Sequence, residues 1–171
     1  MILEVAIVIK IVKGDLLHAT ENFICHQVNC QGKMGSGVAL QVRQKYPHVY
    51  EFYQELVAEQ LITNVDGQLL FDYRHELLGK VHSVEIGNKQ WILNLFGQNN
   101  YGYDGKMYTD TEALFKCFKQ VRVKAEKLGL TVAMPYMIGS YRGGADWRIV
   151  EDLLLTAFDG YEVTLYKKHE G

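Results

Sequence analysis

Residues 23–46 read FICHQVNCQGKMGSGVALQVRQKY. Phe23 to Val28 is an apolar run with aromatic and β-branched residues that ends in a glycine-rich segment, the pattern of a buried strand. Gly32, Gly35 and Gly37 follow within Gln31–Gly37, and glycine permits positive φ and close backbone approach. Val38, Ala39, Val42 and Tyr46 then return at helical spacing, with Arg43, Gln44 and Lys45 on the other face. The order is strand, glycine loop, helix start. The first amides of a helix lack internal partners and carry the positive end of its dipole, so a loop without Cβ atoms lets a phosphate reach them. A tight strand-to-helix turn that binds nothing accounts for the loop alone equally well.

Two phosphate-binding motifs are excluded. A P-loop needs Ser or Thr after Gly-Lys, and Gly32-Lys33 is followed by Met34. A dinucleotide fingerprint needs a third glycine where Leu40 stands, after Gly35-Ser36-Gly37. A phosphate here would be held by backbone in some third arrangement. The same logic recurs at Ile138-Gly139-Ser140-Tyr141-Arg142-Gly143-Gly144-Ala145-Asp146-Trp147, which follows the apolar run Leu130–Pro135 and precedes a helical pattern through Ile149, Val150, Leu153 and Leu154. Two such loops at the carboxyl ends of sheet strands can face one crevice.

His26-Gln27-Val28-Asn29-Cys30-Gln31-Gly32-x-x-Gly35-x-Gly37-Val38-Ala39 resembles the first ligand loop of macro domains, the ADP-ribose-binding modules. With a His three residues before the Asn, it is most similar to the branch of ADP-ribose-1''-phosphate phosphatase-like and terminal ADP-ribose glycohydrolase-like domains. Residues 134–147 resemble that branch's second ligand loop, with Tyr141 where a glycine usually sits. The resemblance implies a three-layer α/β/α sandwich around a mixed, mostly parallel sheet of six to seven strands, with the whole of 1–171 as a single domain.

It also implies roles. Asp15 and Leu16, in the turn after the first strand, would hold adenine. A carboxylate is acceptor-only and suits an exocyclic amino group, though Asp15 also reads as an ordinary turn residue or N-cap. Gly35, Ser36, Gly37 and Val38, with Ile138, Gly139, Ser140, Tyr141, Arg142 and Gly143, would surround the diphosphate and distal ribose. Tyr141 would stack on the ribose and Arg142 pair with a terminal phosphate, or both would narrow the site. Asn29 would orient the terminal ribose, while His26 and Asp146 would activate water or protonate a leaving group at C1''. Asp146 reads as well as the N-cap of the following helix. The implied function is hydrolysis at the C1'' end of an ADP-ribose derivative, with ADP-ribosylated protein or nucleic acid as candidate carriers. The alternatives are a reader that binds without turnover and an O-acetyl-ADP-ribose deacetylase. The segment Leu93–Gln98 has no lysine, and none follows before Lys106, which argues against lysine-dependent attack.

Composition bounds the rest. The chain has 171 residues, 48% apolar and 22% charged, ordinary globular values. A net charge of −2 and no long basic run argue against an extended nucleic-acid surface. Cys25, Cys30 and Cys117 form no C-x-x-C pair, so a reducing, cytoplasmic setting is expected. The six histidines show no metal-ligand spacing, and neither a metal nor a cofactor is expected. Met1–Ile9 is too short to span a bilayer and lacks a signal-peptide pattern. In order, strands are predicted over Ile2–Val12, Phe23–Cys30, Val81–Ile86, Trp91–Phe96, Leu130–Pro135 and Tyr161–Lys167. Helices are predicted over Val38–Tyr46, His48–Gln60 and up to Leu128 from a cap at Thr109 or Asp110, and Asp66-Gly67 signals a short hairpin. Met34 is expected at the loop tip, exposed, where it could cover a ligand.

Overall fold

A computed structural model describes residues 8–168. The elements in chain order are β1 (Ile9–Lys13), β2 (Phe23–Asn29), α1 (Gly37–Lys45), α2 (Pro47–Ala58), β3 (Leu61–Thr63), β4 (Leu69–Asp72), β5 (Val81–Gly87), β6 (Gln90–Gln98), α3 (Thr111–Leu128), β7 (Val132–Pro135), α4 (Trp147–Ala157) and β8 (Val163–Lys167). The first strand was expected to begin at Ile2; Ile2 to Ile7 lie outside the described residues.

Local chemistry sets the helix ends. Pro47 opens α2 at its first turn, where its missing N–H costs nothing. The Asp110 carboxylate accepts from the Ala113 amide at 3.0 Å and caps α3. Gly129 stops α3 in the left-handed conformation, φ 67°. Asn64 to Gln68 turn between β3 and β4, which pair antiparallel as a separate hairpin.

Six strands form one sheet in the order β1-β8-β7-β2-β6-β5. All neighbours are parallel except β5, which is antiparallel to β6. Strand residues alternate between the two faces. Phe23, Cys25, Leu93, Leu95, Met134 and Leu165 pack with Leu114, Phe118, Val121, Val150 and Leu154 of α3 and α4. On the other face, Ile24, Ile92 and Val84 meet Val42 and Val49 of α1 and α2, and Val28 and Phe96 meet Tyr53 and Val57. The result is a mixed sheet with helices on both sides, the three-layer order expected, and among the described residues it has six strands.

Met34 departs from expectation. It is 1% exposed and packs with Cys30, Tyr53 and Phe96. Unbranched and apolar, it gains more by filling this gap than by covering a loop. It thereby pins the first glycine loop to α2.

Candidate functional site

In a parallel sheet the loops after the strands emerge at one edge, and ligands bind outside the carboxyl ends. Here five such ends open on one cavity of about 920 Å³, a normal size for a small-molecule site. Gly14, Asp15 and Leu16 follow β1, Lys167 and Lys168 end β8, and the second glycine loop follows β7. Asn29 ends β2 and the first glycine loop follows it, and Gln98 ends β6 with Tyr101, Gly102 and Tyr103 beyond it. The strand order therefore puts Asp15 at one end of the crevice and Asn29, His26 and Tyr101 toward the other.

Asp15 caps a short 3-10 turn, its Oδ1 accepting from the Leu17 amide at 2.9 Å. Oδ2 has no protein partner among the described residues. The cap is the geometry observed, and the same residue lines the cavity. Leu16 is buried beside it and lines the cavity.

The first loop is shaped by Asn29. Its Oδ1 accepts from the amides of Gln31 at 2.9 Å and Lys33 at 3.3 Å, and its Nδ2 donates to the Lys33 carbonyl at 2.8 Å. The buried Tyr53 hydroxyl lies 2.6 Å from the Asn29 carbonyl and 2.9 Å from its Oδ1. Gly32 at φ +76° and Gly37 at φ +59° need the freedom of glycine. Ser36 precedes α1 with no side-chain cap, so the opening amides of the helix are left to the cavity, bordered by Gly35, Ser36, Gly37 and Val38.

The second loop is tied to the first through the sheet. Gln27 Nε2 donates to Gln98 Oε1 at 2.7 Å and to Thr109 Oγ1 at 2.8 Å, and the Thr109 hydroxyl donates to the Gly139 carbonyl at 2.7 Å. The Gly143 carbonyl accepts from the amides of Tyr108 and Thr109 at 2.8 and 2.9 Å. Met137, at φ +61°, is a non-glycine residue in the left-handed region and borders the cavity, a conformation that costs free energy and concentrates at functional loops. Ile138, Gly139, Tyr141, Arg142 and Gly143 line the cavity; Ser140 does not, and its hydroxyl is buried behind the loop with no partner. Arg142 reaches across the mouth: its Cγ lies 3.9 Å from where a Cβ on Gly37 would stand. Its guanidinium lies 5.4 Å from the ring centre of Tyr103. Tyr141 points outward, 78% exposed.

His26 borders the cavity from β2 and is 1% exposed. Burial pulls its pKa down to about 4, so the ring is neutral at pH 7. Its Nε2 lies 2.6 Å from Asn94 Oδ1, and its Nδ1 is buried without a partner. Among the described residues the orphaned buried side-chain atoms are His26 Nδ1, Gln27 Oε1 and Ser140 Oγ. Two belong to β2 residues that border the cavity and the third to the second loop behind it, and such buried atoms are exceptions in a native fold.

Asp146 does not join this group. It is exposed, does not line the cavity, and caps α4 by accepting from the Arg148 amide at 3.0 Å. Arg148 also pairs with its Oδ2 at 3.0 Å and holds the carboxyl below its usual value. The N-cap reading is the geometry observed, with the carboxylate bonded to its own helix. Lys33 and Tyr166 line the cavity without having been singled out, as do Gln98 and Tyr103 of the polar, glycine-rich loop Phe96–Thr109, whose length and three tyrosines favour a functional loop. Their shared signal is position at or just past a strand's carboxyl end. Among the described residues no group of His, Cys, Asp and Glu is arranged to hold a metal ion.

No protein-family model matches the chain. A DNA ADP-ribosyl glycohydrolase of Mycobacterium tuberculosis is 30% identical over 149 residues, 85% of this chain and 37% of that protein. The chain thus spans little more than a third of that relative's length. An ADP-ribose 1''-phosphate phosphatase of Aspergillus oryzae is 25% identical over 175 aligned positions, covering 85% of this chain and 87% of that protein. Among solved structures, the macrodomain of Mycobacterium tuberculosis DarG matches with a TM-score of 0.70 at 26% identity, covering 92% of this chain and 96% of that one.

Proposed function

Because the chain is a macro domain, we propose that it binds ADP-ribose along the carboxyl edge of its sheet and hydrolyses the bond at C1''. The observation that carries this is the convergence of two glycine loops and Asp15 on one cavity. Adenine lies at the β1 end, its amino group donating to Asp15. The diphosphate meets the open amides of α1 and the second loop, under Arg142. The distal ribose lies at the β2–β6 end, over Asn29 and His26. Water replaces the C1'' substituent, giving ADP-ribose and the protonated leaving group, which is phosphate or an ADP-ribosyl carrier. On this reading His26 Nδ1, a buried nitrogen without a protein partner, has the task of taking a hydrogen bond from that water or from a ribose hydroxyl once the ligand is bound. The names of the relatives support this reaction class. The cytoplasmic setting belongs to the same proposal, supported by three free, buried cysteines.

A reader without turnover is the second reading, and one observation favours it. Asp146, one of the two acid–base groups expected at C1'', is a helix cap instead. A panel of ADP-ribose-1''-phosphate, O-acetyl-ADP-ribose and protein- and DNA-linked adducts, read by mass, separates the two. Release from none of them, with ADP-ribose still binding, would establish the reader.

Binding itself is tested by calorimetry. ADP-ribose is expected to bind wild type, with the guanine analogue weaker because its six-position oxygen cannot donate to Asp15. Asp15→Ala should weaken ADP-ribose by about tenfold or more, the loss of one hydrogen bond to a charged acceptor, and should erase the preference over the guanine analogue. No heat with wild type at millimolar nucleotide would end the proposal.

A further inference from the structure

On the face under α1 and α2 the sheet carries rows in register across three strands. Ile24, Ile92 and Val84 form one row, and His26, Asn94 and His82 form the next. Val28 pairs with Phe96 in the row beyond. The polar row thus runs between two apolar clusters. Asn94 is fully buried. Polar groups so placed cost free energy unless each is bonded, so their orientations are determined by one another.

The hydrogens can be assigned along the row. His26 Nε2 lies 2.6 Å from Asn94 Oδ1, and Asn94 Nδ2 lies 3.3 Å from His82 Nδ1. An amide oxygen only accepts, so His26 Nε2 carries the hydrogen. An amide nitrogen only donates, so His82 Nδ1 is bare. A neutral imidazole has one N–H, so His26 Nδ1 is an acceptor. It is also the nitrogen with no protein partner, in the residue that borders the cavity. The opposite arrangement, with the Asn94 amide turned over, would require His82 Nδ1–H and would make His26 Nδ1 a donor. His82, half-buried on the edge strand β5, carries its hydrogen on Nε2 in the first arrangement and on Nδ1 in the second.

We propose that Asn94 and His82 are positioning residues of this site: they hold His26, a residue that borders the cavity, as its Nε2–H tautomer and so keep its buried Nδ1 as a hydrogen-bond acceptor. The use of that nitrogen rests on the ADP-ribose reading, because the hydrogen it accepts is one that the bound ligand or its attacking water must bring to it. The tautomer does not rest on it, and it can be read on the protein with no nucleotide present.

The experiment is nitrogen-15 NMR of the histidine rings at neutral pH. In wild type the His26 Nε2 signal is expected in the protonated range and Nδ1 in the bare-imine range. His82→Phe frees the Asn94 amide to turn, and Asn94→Leu removes it. In both, the His26 signals should move toward each other as the tautomers mix. Asn94→Asp, which only accepts from Nε2, should keep Nδ1 bare. Wild-type His26 protonated at Nδ1 would overturn the proposal, even if no variant folds. So would a tautomer unmoved in both His82→Phe and Asn94→Leu. Failure to bind ADP-ribose alongside the expected tautomer shifts would remove the ligand reading and leave the positioning row standing.

Discussion

Gly143→Ala is expected to destabilise the protein by about 3 kcal/mol or more and to abolish nucleotide binding. Gly143 does not need a positive φ; the obstacle is space. A Cβ there would run into Thr109 Oγ1, would stand 2.5 Å from the Gly139 carbonyl oxygen and 2.9 Å from Gln27 Nε2. None of the three can yield cheaply. Thr109 is held between Gln27 and the Gly139 carbonyl. The Gly139 oxygen is backbone, and Gln27 is shared with Gln98. Relief must come from moving the second loop, and the Gly143 carbonyl takes the amides of Tyr108 and Thr109 with it. One methyl therefore pulls apart the link between β2, β6 and both glycine loops. Urea unfolding measures the stability and calorimetry with ADP-ribose the binding. Gly35→Ala is the control: its Cβ meets only the Tyr103 hydroxyl, at 3.9 Å. Its stability should stay within about 0.5 kcal/mol of wild type, while the added methyl occupies the cavity lining and weakens the nucleotide. Equal stability for Gly143→Ala and wild type would show that the second loop is not locked in the way described.

The contrast between these two glycines indicates what the sequence could and could not say. Glycine clusters after apolar runs marked both loops, and the alternation of strand and helix patterns marked the layers, because those signals are local. Asp15 was legible as a turn cap for the same reason, whereas its place in a ligand site was implied only by the resemblance. Which glycine is indispensable was not legible, since Thr109 and Gln27 reach Gly143 from two distant parts of the chain and close on it against the Gly139 carbonyl of its own loop. Asp146 shows the local reading realised, as the N-cap of α4; its role at the sugar was implied by the resemblance alone, and the residue is not among those lining the cavity. Met34 was placed on the surface because a loop tip is usually wet; the pocket formed by Tyr53, Val57 and Phe96 lies outside any local window. The His26–Asn94–His82 row depends on the register of β2, β6 and β5, and no short stretch carries that register.

Wild type is expected to lose about 3 kcal/mol of stability as pH falls from 6.5 to 4, and His26→Gln should lose far less. The unfolded chain exposes His26, where a histidine titrates near 6.5. In the fold its pKa is lowered to about 4, first because burial disfavours the charged ring, against which the Asn94 hydrogen bond acts only in part. The sign follows. Between these two values the unfolded state binds a proton that the folded state refuses, so lowering the pH favours unfolding. The stabilisation is complete above the unfolded value and is gone once pH reaches the folded one. His82 is also lowered by burial and adds in the same direction, so the slope is assigned by difference. Gln at position 26 can still donate an amide hydrogen to Asn94 Oδ1 but does not titrate, which removes the proton and keeps the hydrogen bond. The carboxyls of Asp72, Asp104 and Asp146, held low by Arg74, Tyr108 and Arg148, lose their contribution at lower pH still and leave this window to the histidines. Urea midpoints at half-unit steps from pH 7 to 4 give the two curves. Parallel curves would mean that His26 accepts a proton in the folded protein as readily as in the unfolded chain. The neutral ring with a free Nδ1, on which the cavity floor depends, would then have to be abandoned.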